Sequence, residues 1–243
     1  MGIKVSGIII EGHPDFKNRD FKFQENIFEY KKLNNLSPQN FSIAFTADKT
    51  LLFYDSFLEN ILTEELEFSD FEKQVLEFFP NAMLLSIIIN DTISFAGYSF
   101  SVSNIKIRVK ATVENEIFID KGILIGTESN IYDNFLEHFK KSETAYNSFK
   151  IKTKELDEIQ FQKAVLKLRD KLYDKNNLEN EHNYTNGTLD NLVIENLLSH
   201  ILNKTHFEIE DEIFFYQLRN KKFELLKDFT GCLQNAYELH KNR

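Results

Sequence analysis

The chain has 243 residues, 42% of them hydrophobic, with 24 Phe, three Pro and no Trp. Such a composition suits one large globular domain or two small ones and excludes wholesale disorder. A formal charge of −9, most of it in residues 1–120, repels a phosphate backbone and makes the surface as a whole a poor match for nucleic acid.

Cys232 is the only cysteine, so there is no intramolecular disulfide and no Cys-x-x-Cys pair; a small buried side chain is expected there. Glu11 interrupts the opening apolar run MGIKVSGIIIEG before a secretory signal can form, and runs such as AMLLSIII at 82–89 are too short to span a bilayer. These features predict a cytoplasmic protein with no membrane association.

In chain order, IKVSGIII at 3–10 predicts a strand whose continuous apolar end suits the middle of a sheet. Gly12 and Pro14 then mark a turn. Residues 15–36 are polar with scattered aromatics and fit either a short helix around 20–32 or an irregular excursion. FSIAFT at 41–46 points Phe41, Ile43 and Phe45 inward; ADKT turns, and LLFYD at 50–54 returns as the second strand of a hairpin. Ser56 to Leu66 reads as a short helix with Phe57, Leu58, Ile61 and Leu62 on one face. Ser69-Asp70-Phe71-Glu72 has capping-box spacing, in which serine accepts from the third amide and the glutamate reaches back. The helix it opens carries Phe71, Val75, Phe78 and Phe79 and ends at Pro80.

Four strand-like runs follow, at 82–90, 92–100, 105–113 and 116–122. The breaks between them are too short for helical crossovers, which predicts an antiparallel meander. In the third run Ile105, Ile107, Val109 and Ala111 share one face. Lys106, Arg108 and Lys110 share the other and are expected to meet solvent, acidic side chains or a partner. Gly97 within SFAGYSF marks a bulge, bend or close approach, and Gly122 and Gly126 mark turns or bulges.

Beyond Glu128 the period becomes helical: residues 129–141, then an amphipathic stretch at 154–174 with Thr153 as its cap. A polar linker or loop spans 175–187, and a helix runs through Leu189, Val193, Ile194, Leu197, Leu198 and Ile201. FEIEDEIFFYQL at 207–218 reads as a short helix leading into a last one at about 220–240. The expected architecture is an α+β fold. Residues 1–140 hold a mixed or mainly antiparallel sheet with packed helices, and 141–243 form a helical region, separate or packed on the first as one unit.

No constellation has the spacing of an established catalytic motif. The six histidines include no HExxH, and His200 and His206-x-Glu208 read as ordinary polar positions, so neither metal nor cofactor is expected. The catalytic candidates are Glu114, Glu116, Asp120 and Glu128, carboxylates around a strand end. They would do acid/base work if their environments split their pKa values, and would otherwise keep a turn solvated. Tyr98 and Arg108 are candidates for binding an anion on the solvent face. Lys140–Lys141, Lys150/Lys152/Lys154 and Lys163/Lys167/Lys171 are the basic positions to weigh as a phosphate-binding surface against solvated helix faces.

Three features resemble a family of uncharacterised bacterial α/β domains. They are the opening Met1-Gly2-x-Lys4 strand, the Phe79-Pro80 helix end before a hydrophobic strand, and the strands ending in Asp120-x-Gly122 with Glu128 beyond. The resemblance covers residues 1–140 and implies an α/β fold there, with no activity or catalytic residue attached to it.

The first functional expectation is a non-catalytic protein that works through a protein partner, as an inhibitor, immunity or accessory factor. An exposed aromatic patch with an acidic rim would suit a basic partner. The alternatives are a hydrolase-like enzyme with a strand-end carboxylate site and a nucleic-acid-binding module using the lysine-bearing helices. Oligomeric state is not legible in the sequence.

Overall fold

The computed structural model describes residues 4–16, 27–57, 61–63, 65–113, 116–130, 160, 189–219 and 223–243. Their strands are β1 (Lys4–Glu11), β2 (Phe28–Lys32), β3 (Ser42–Phe45), β4 (Lys49–Phe53), β5 (Leu84–Asn90), β6 (Phe95–Val102), β7 (Ile105–Val113), β8 (Glu116–Gly122) and β9 (Phe214–Leu218). They form one sheet in the order β2-β9-β3-β4-β1-β5-β6-β7-β8, and each of its ladders is antiparallel. The named α-helices are α1 (Asp70–Leu76), α2 (Leu189–Leu202), α3 (His206–Glu212) and α4 (Leu225–Lys241).

Alternation along the central strands makes two apolar faces. Ile8 and Ile10 of β1, Leu52 of β4 and Leu84 and Ile88 of β5 share one face with Phe71 and Val75 of α1 and with Phe229, Cys232, Leu233 and Ala236 of α4. The spacing of the α4 residues puts them on one helical stripe. Val5 and Ile9, Leu51 and Phe53, and Leu85, Ile87 and Ile89 point the other way, against Val193, Ile194, Leu197 and Leu198 of α2 and Ile209 of α3. Helices therefore cover both faces, and β1 lies in the interior of the sheet as its unbroken apolar run requires.

The β3–β4 hairpin, the helix opened at Ser69 and the β5–β8 meander form as the sequence predicts. At α1 both capping-box bonds are made: Glu72 N donates to Ser69 Oγ at 3.1 Å and Ser69 N to Glu72 Oε2 at 2.8 Å. Gly97 is a close approach, where a Cβ would come within 2.6 Å of Leu62 Cδ1. Gly122 sits at φ +90°, and a Cβ there would meet Ile107 O at 2.1 Å.

Other expectations are corrected. The ambiguous stretch 15–36 contains strand β2. Ser56 to Leu66 is not one helix: a 3₁₀ turn at Asp55–Phe57 gives way to bends at 65–67, where Thr63 Oγ1 donates to the carbonyls of Glu65 and Glu67. FEIEDEIFFYQL divides into α3, ending at Glu212, and β9, which lies between β2 and β3 in the sheet. The helical turn at 126–130 begins the helix expected after Glu128; its continuation at 131–141, the helix at 154–174 and the linker at 175–187 lie outside the described residues.

Candidate functional site

The three basic side chains of β7 are all buried, and of the surroundings expected for them Lys106 and Arg108 meet acidic side chains, whereas Ile105 is 63% exposed. They do not share one face, because a bulge intervenes. Phe100 pairs with Arg108 but its neighbour Ser101 pairs with Lys106, so Ile107 is an extra residue and the two cations fall on opposite faces of the sheet.

On the α2 face Arg108 holds the predicted carboxylates. Its Nε donates to Glu128 Oε1 and Oε2 at 3.1 and 2.9 Å, its Nη2 to Glu128 Oε1 at 2.8 Å, and its Nη1 to Asp120 Oδ1 at 2.6 Å and Lys121 O at 3.0 Å. Glu128 also accepts from Ile125 N at 3.1 Å, which fixes the start of the helical turn at 126–130. Burial alone would lower the Arg108 pKa, but hydrogen bonds and charge from Glu128, with smaller contributions from Tyr98 and Asp120, carry it above the usual guanidinium range. The structure thus brings Arg108, Tyr98, Asp120 and Glu128 together. It places Tyr98, Arg108 and Glu128 inside the protein, where none faces a solvent-borne anion. Lys110 is buried opposite Asp120 in the β7–β8 register. Glu114 and the side chain of Glu116 lie outside the described residues. With oxygens of Asp120 and Glu128 bound to one guanidinium, the cluster joins β7, β8 and the turn at 126–130.

On the α1 face Lys106 donates to Glu72 Oε2 at 2.7 Å and to Thr63 Oγ1 at 3.3 Å, and Ser99 Oγ donates to Glu72 Oε1 at 3.4 Å. Burial lowers the Lys106 pKa, against the pull of the Glu72 charge. The capping glutamate of α1 is therefore also the counter-ion that admits a lysine to the core.

The surface that sequence reasoning missed lies where β2 meets β9. Tyr30 pairs with Tyr216 and Lys32 with Phe214. Tyr30 and Phe214 are stacked, with ring centroids 5.2 Å apart at 17°, and the Tyr30 and Tyr216 rings are 4.9 Å apart. Two cations cover these rings: Arg243 Cζ is 3.3 Å from the Tyr30 centroid and Lys32 Nζ 5.5 Å from that of Phe214. Tyr30 is 40% and Phe214 43% exposed, so the stack is open to solvent. Burial raises the pKa of Tyr216, the innermost ring, and the neighbouring Tyr30 adds to this while the Arg243 cation opposes it. Residues 30 and 214 are too distant in the chain for local patterning to join them; the only local trace is Tyr30-Lys31-Lys32 in the stretch the sequence left ambiguous. The charges lying on these rings are positive, unlike the acidic rim that would suit a basic partner.

His206 is buried with Nδ1 against Glu195, and Glu208 is turned back to the α3 cap, where it accepts from Thr205 N at 2.7 Å. Among the described residues no group of three or more His, Cys, Asp or Glu is placed to hold a metal ion. Cys232 is buried, and desolvation followed by the Asp228 charge pushes its thiol up to about 12, far from a nucleophile's range. The lysines at 140–141, 150–154 and 163–171 lie outside the described residues, in which no helix is long and apolar enough to cross a membrane. Comparison with known proteins gives no match to this chain, whether among protein-family models, curated proteins or solved structures.

Proposed function

We propose that the protein works by binding another protein through the Tyr30–Phe214 surface. The observation that carries this reading is the open stack of two aromatic rings, each covered by a cation, on the first strand of the sheet and its neighbour. Tyr, Phe and Arg are enriched at interface centres because they present large contact area at small entropic cost, and cation–π pairs strengthen on desolvation. The matching partner surface carries carboxylates among apolar side chains, to meet Arg243 and Lys32 as the rings are covered.

Against the hydrolase-like alternative weighs the commitment of Asp120 and Glu128 to Arg108. Against a nucleic-acid module weighs the charge of −9. The test is affinity capture with wild type and with Tyr30→Ala/Phe214→Ala, followed by binding measurements on the purified partner. The double substitution is expected to weaken binding by at least about thirtyfold, in line with loss of interface anchors. Equal affinity for both forms would reject this surface as the interface.

A further inference from the structure

The chain between β2 and β3 makes a wide arch over the opposite face of the same sheet. Leu33 and Leu36 are buried against the α2 side. At its middle the arch is tied to three elements: Ser6 N of β1 donates to Leu36 O at 2.9 Å, Asp55 N to Pro38 O at 2.9 Å, and Leu36 N to Glu210 Oε1 of α3 at 3.1 Å. Compact loops whose ends lie close and whose middle is packed often carry function. Beneath this one is a cavity of about 570 Å³, reaching from the end of β2 to Gln217 of β9.

The lining is unusual for an acidic protein. It holds five carboxamides, among them Asn34, Asn40 and Gln217, with Lys31 and Lys32 and no carboxylate. Its apolar residues are Leu33 and Pro38, and it contains no aromatic ring. Gln217 is nine-tenths buried and held by its Nε2 donating to Ser42 Oγ at 3.2 Å. Asn40 Oδ1 is buried and, among the described residues, without a hydrogen-bond partner, an unmet acceptor in a residue of the cavity wall.

We propose that this cavity binds a small hydroxylated anion of the sugar-phosphate class. Each carboxamide offers a donor and an acceptor, as each hydroxyl does, so a row of them complements a polyol. The Lys31 ammonium complements a phosphate or carboxylate, while that of Lys32 lies over the Phe214 ring on the other face. Without aromatic rings the site has nothing to stack on a nucleobase, and without an apolar wall it has no hold on a hydrophobic ligand. The volume lies in the usual range of small-ligand sites. Lys31 now rests on Glu29 at 3.1 Å, an exposed pair that an incoming anion displaces at little cost. Glu29, Lys31 and Gln217 face the α2 and α3 side, while Tyr30, Phe214 and Tyr216 face α4, so this site is independent of the protein-binding surface.

The test is isothermal titration of the full chain with a panel of hexose and pentose phosphates, with glucose and inorganic phosphate as separate probes. Saturable one-to-one binding of a panel member is expected. It should be at least about tenfold tighter than either probe alone, because both halves of the site contribute. Lys31→Glu and Asn34→Asp, both outside the core, are each expected to weaken it by about tenfold or more. Tyr30→Ala/Phe214→Ala is expected to leave it unchanged. Absence of binding by the whole panel at about 10 mM would overturn the proposal, as would binding indifferent to Lys31→Glu. Preference for an acidic peptide over every sugar phosphate would also overturn it.

Discussion

Arg108 spends its guanidinium on two carboxylates and a carbonyl in a site that excludes water. Removing it takes from the buried Glu128 the guanidinium that binds both of its oxygens, and truncating one partner of a buried pair costs about 3–5 kcal/mol. Urea unfolding of Arg108→Ala is expected to show a loss of that size. Arg108→Lys should fall between it and wild type, since an ammonium keeps the charge but not the fork. A loss below about 1 kcal/mol would mean that other partners hold Glu128 in place. His240 gives a second prediction at this scale. Its ring lies 5.0 Å from that of Phe45 and 6.1 Å from that of His13, and burial, then the His13 charge, lowers its pKa below the ordinary 6.5. Between that lowered value and 6.5 the unfolded chain binds more protons than the folded one, so unfolding free energy rises with pH across the window. The contribution is complete above 6.5 and is lost as pH falls through the window. Wild type should therefore lose more stability than His240→Gln between pH 7 and pH 5; equal losses would show that the ring titrates alike in both states.

At the scale of the element, two glycines, one ending β8 and one inside the helical turn at 126–130, behave oppositely. Gly122→Ala is expected to destabilise by more than about 1 kcal/mol, because φ is +90° and the new Cβ would meet the Ile107 carbonyl. Gly126 is helical with nothing within 4 Å of a Cβ, so Gly126→Ala should stabilise by about 0.5–1 kcal/mol. Thermal unfolding of the two variants checks both signs. Sequence reasoning reached these elements where the signal is local. The capping box at Ser69 and the meander were legible because caps and short breaks leave few alternatives. At β7 it allowed for acidic partners, but strict alternation placed Lys106, Arg108 and Lys110 on one face, which they do not share. The bulge that separates Lys106 from Arg108 has no sequence mark of its own, and the acids that neutralise them come from α1, β8 and the turn at 126–130. It failed again at Phe214–Leu218, where Phe214, Phe215, Tyr216 and Leu218 are too short an apolar run for periodicity to assign to helix or strand.

At the scale of the molecule, β9 decides the architecture. The stretch 1–140 was legible as an α/β sheet region, but its neighbour relations were not, because pairing of β2 with β9 and of β3 with β9 joins residues nearly two hundred positions apart. Local patterning carries no information about such closures. Both proposed sites depend on this one strand: Phe214 and Tyr216 complete the aromatic surface on one face, and Gln217 lines the cavity on the other. Native-state hydrogen exchange under increasing denaturant, followed by mass spectrometry, tests that placement most directly. If β9 is an interior strand, the amides of Phe215–Gln217 open only in the same cooperative event that exposes β1 and β5, with matching free energy and denaturant dependence. Exchange of β9 together with α4 at a lower free energy, while β1 and β5 stay protected, would contradict the account and return the C-terminal segment to a separate unit.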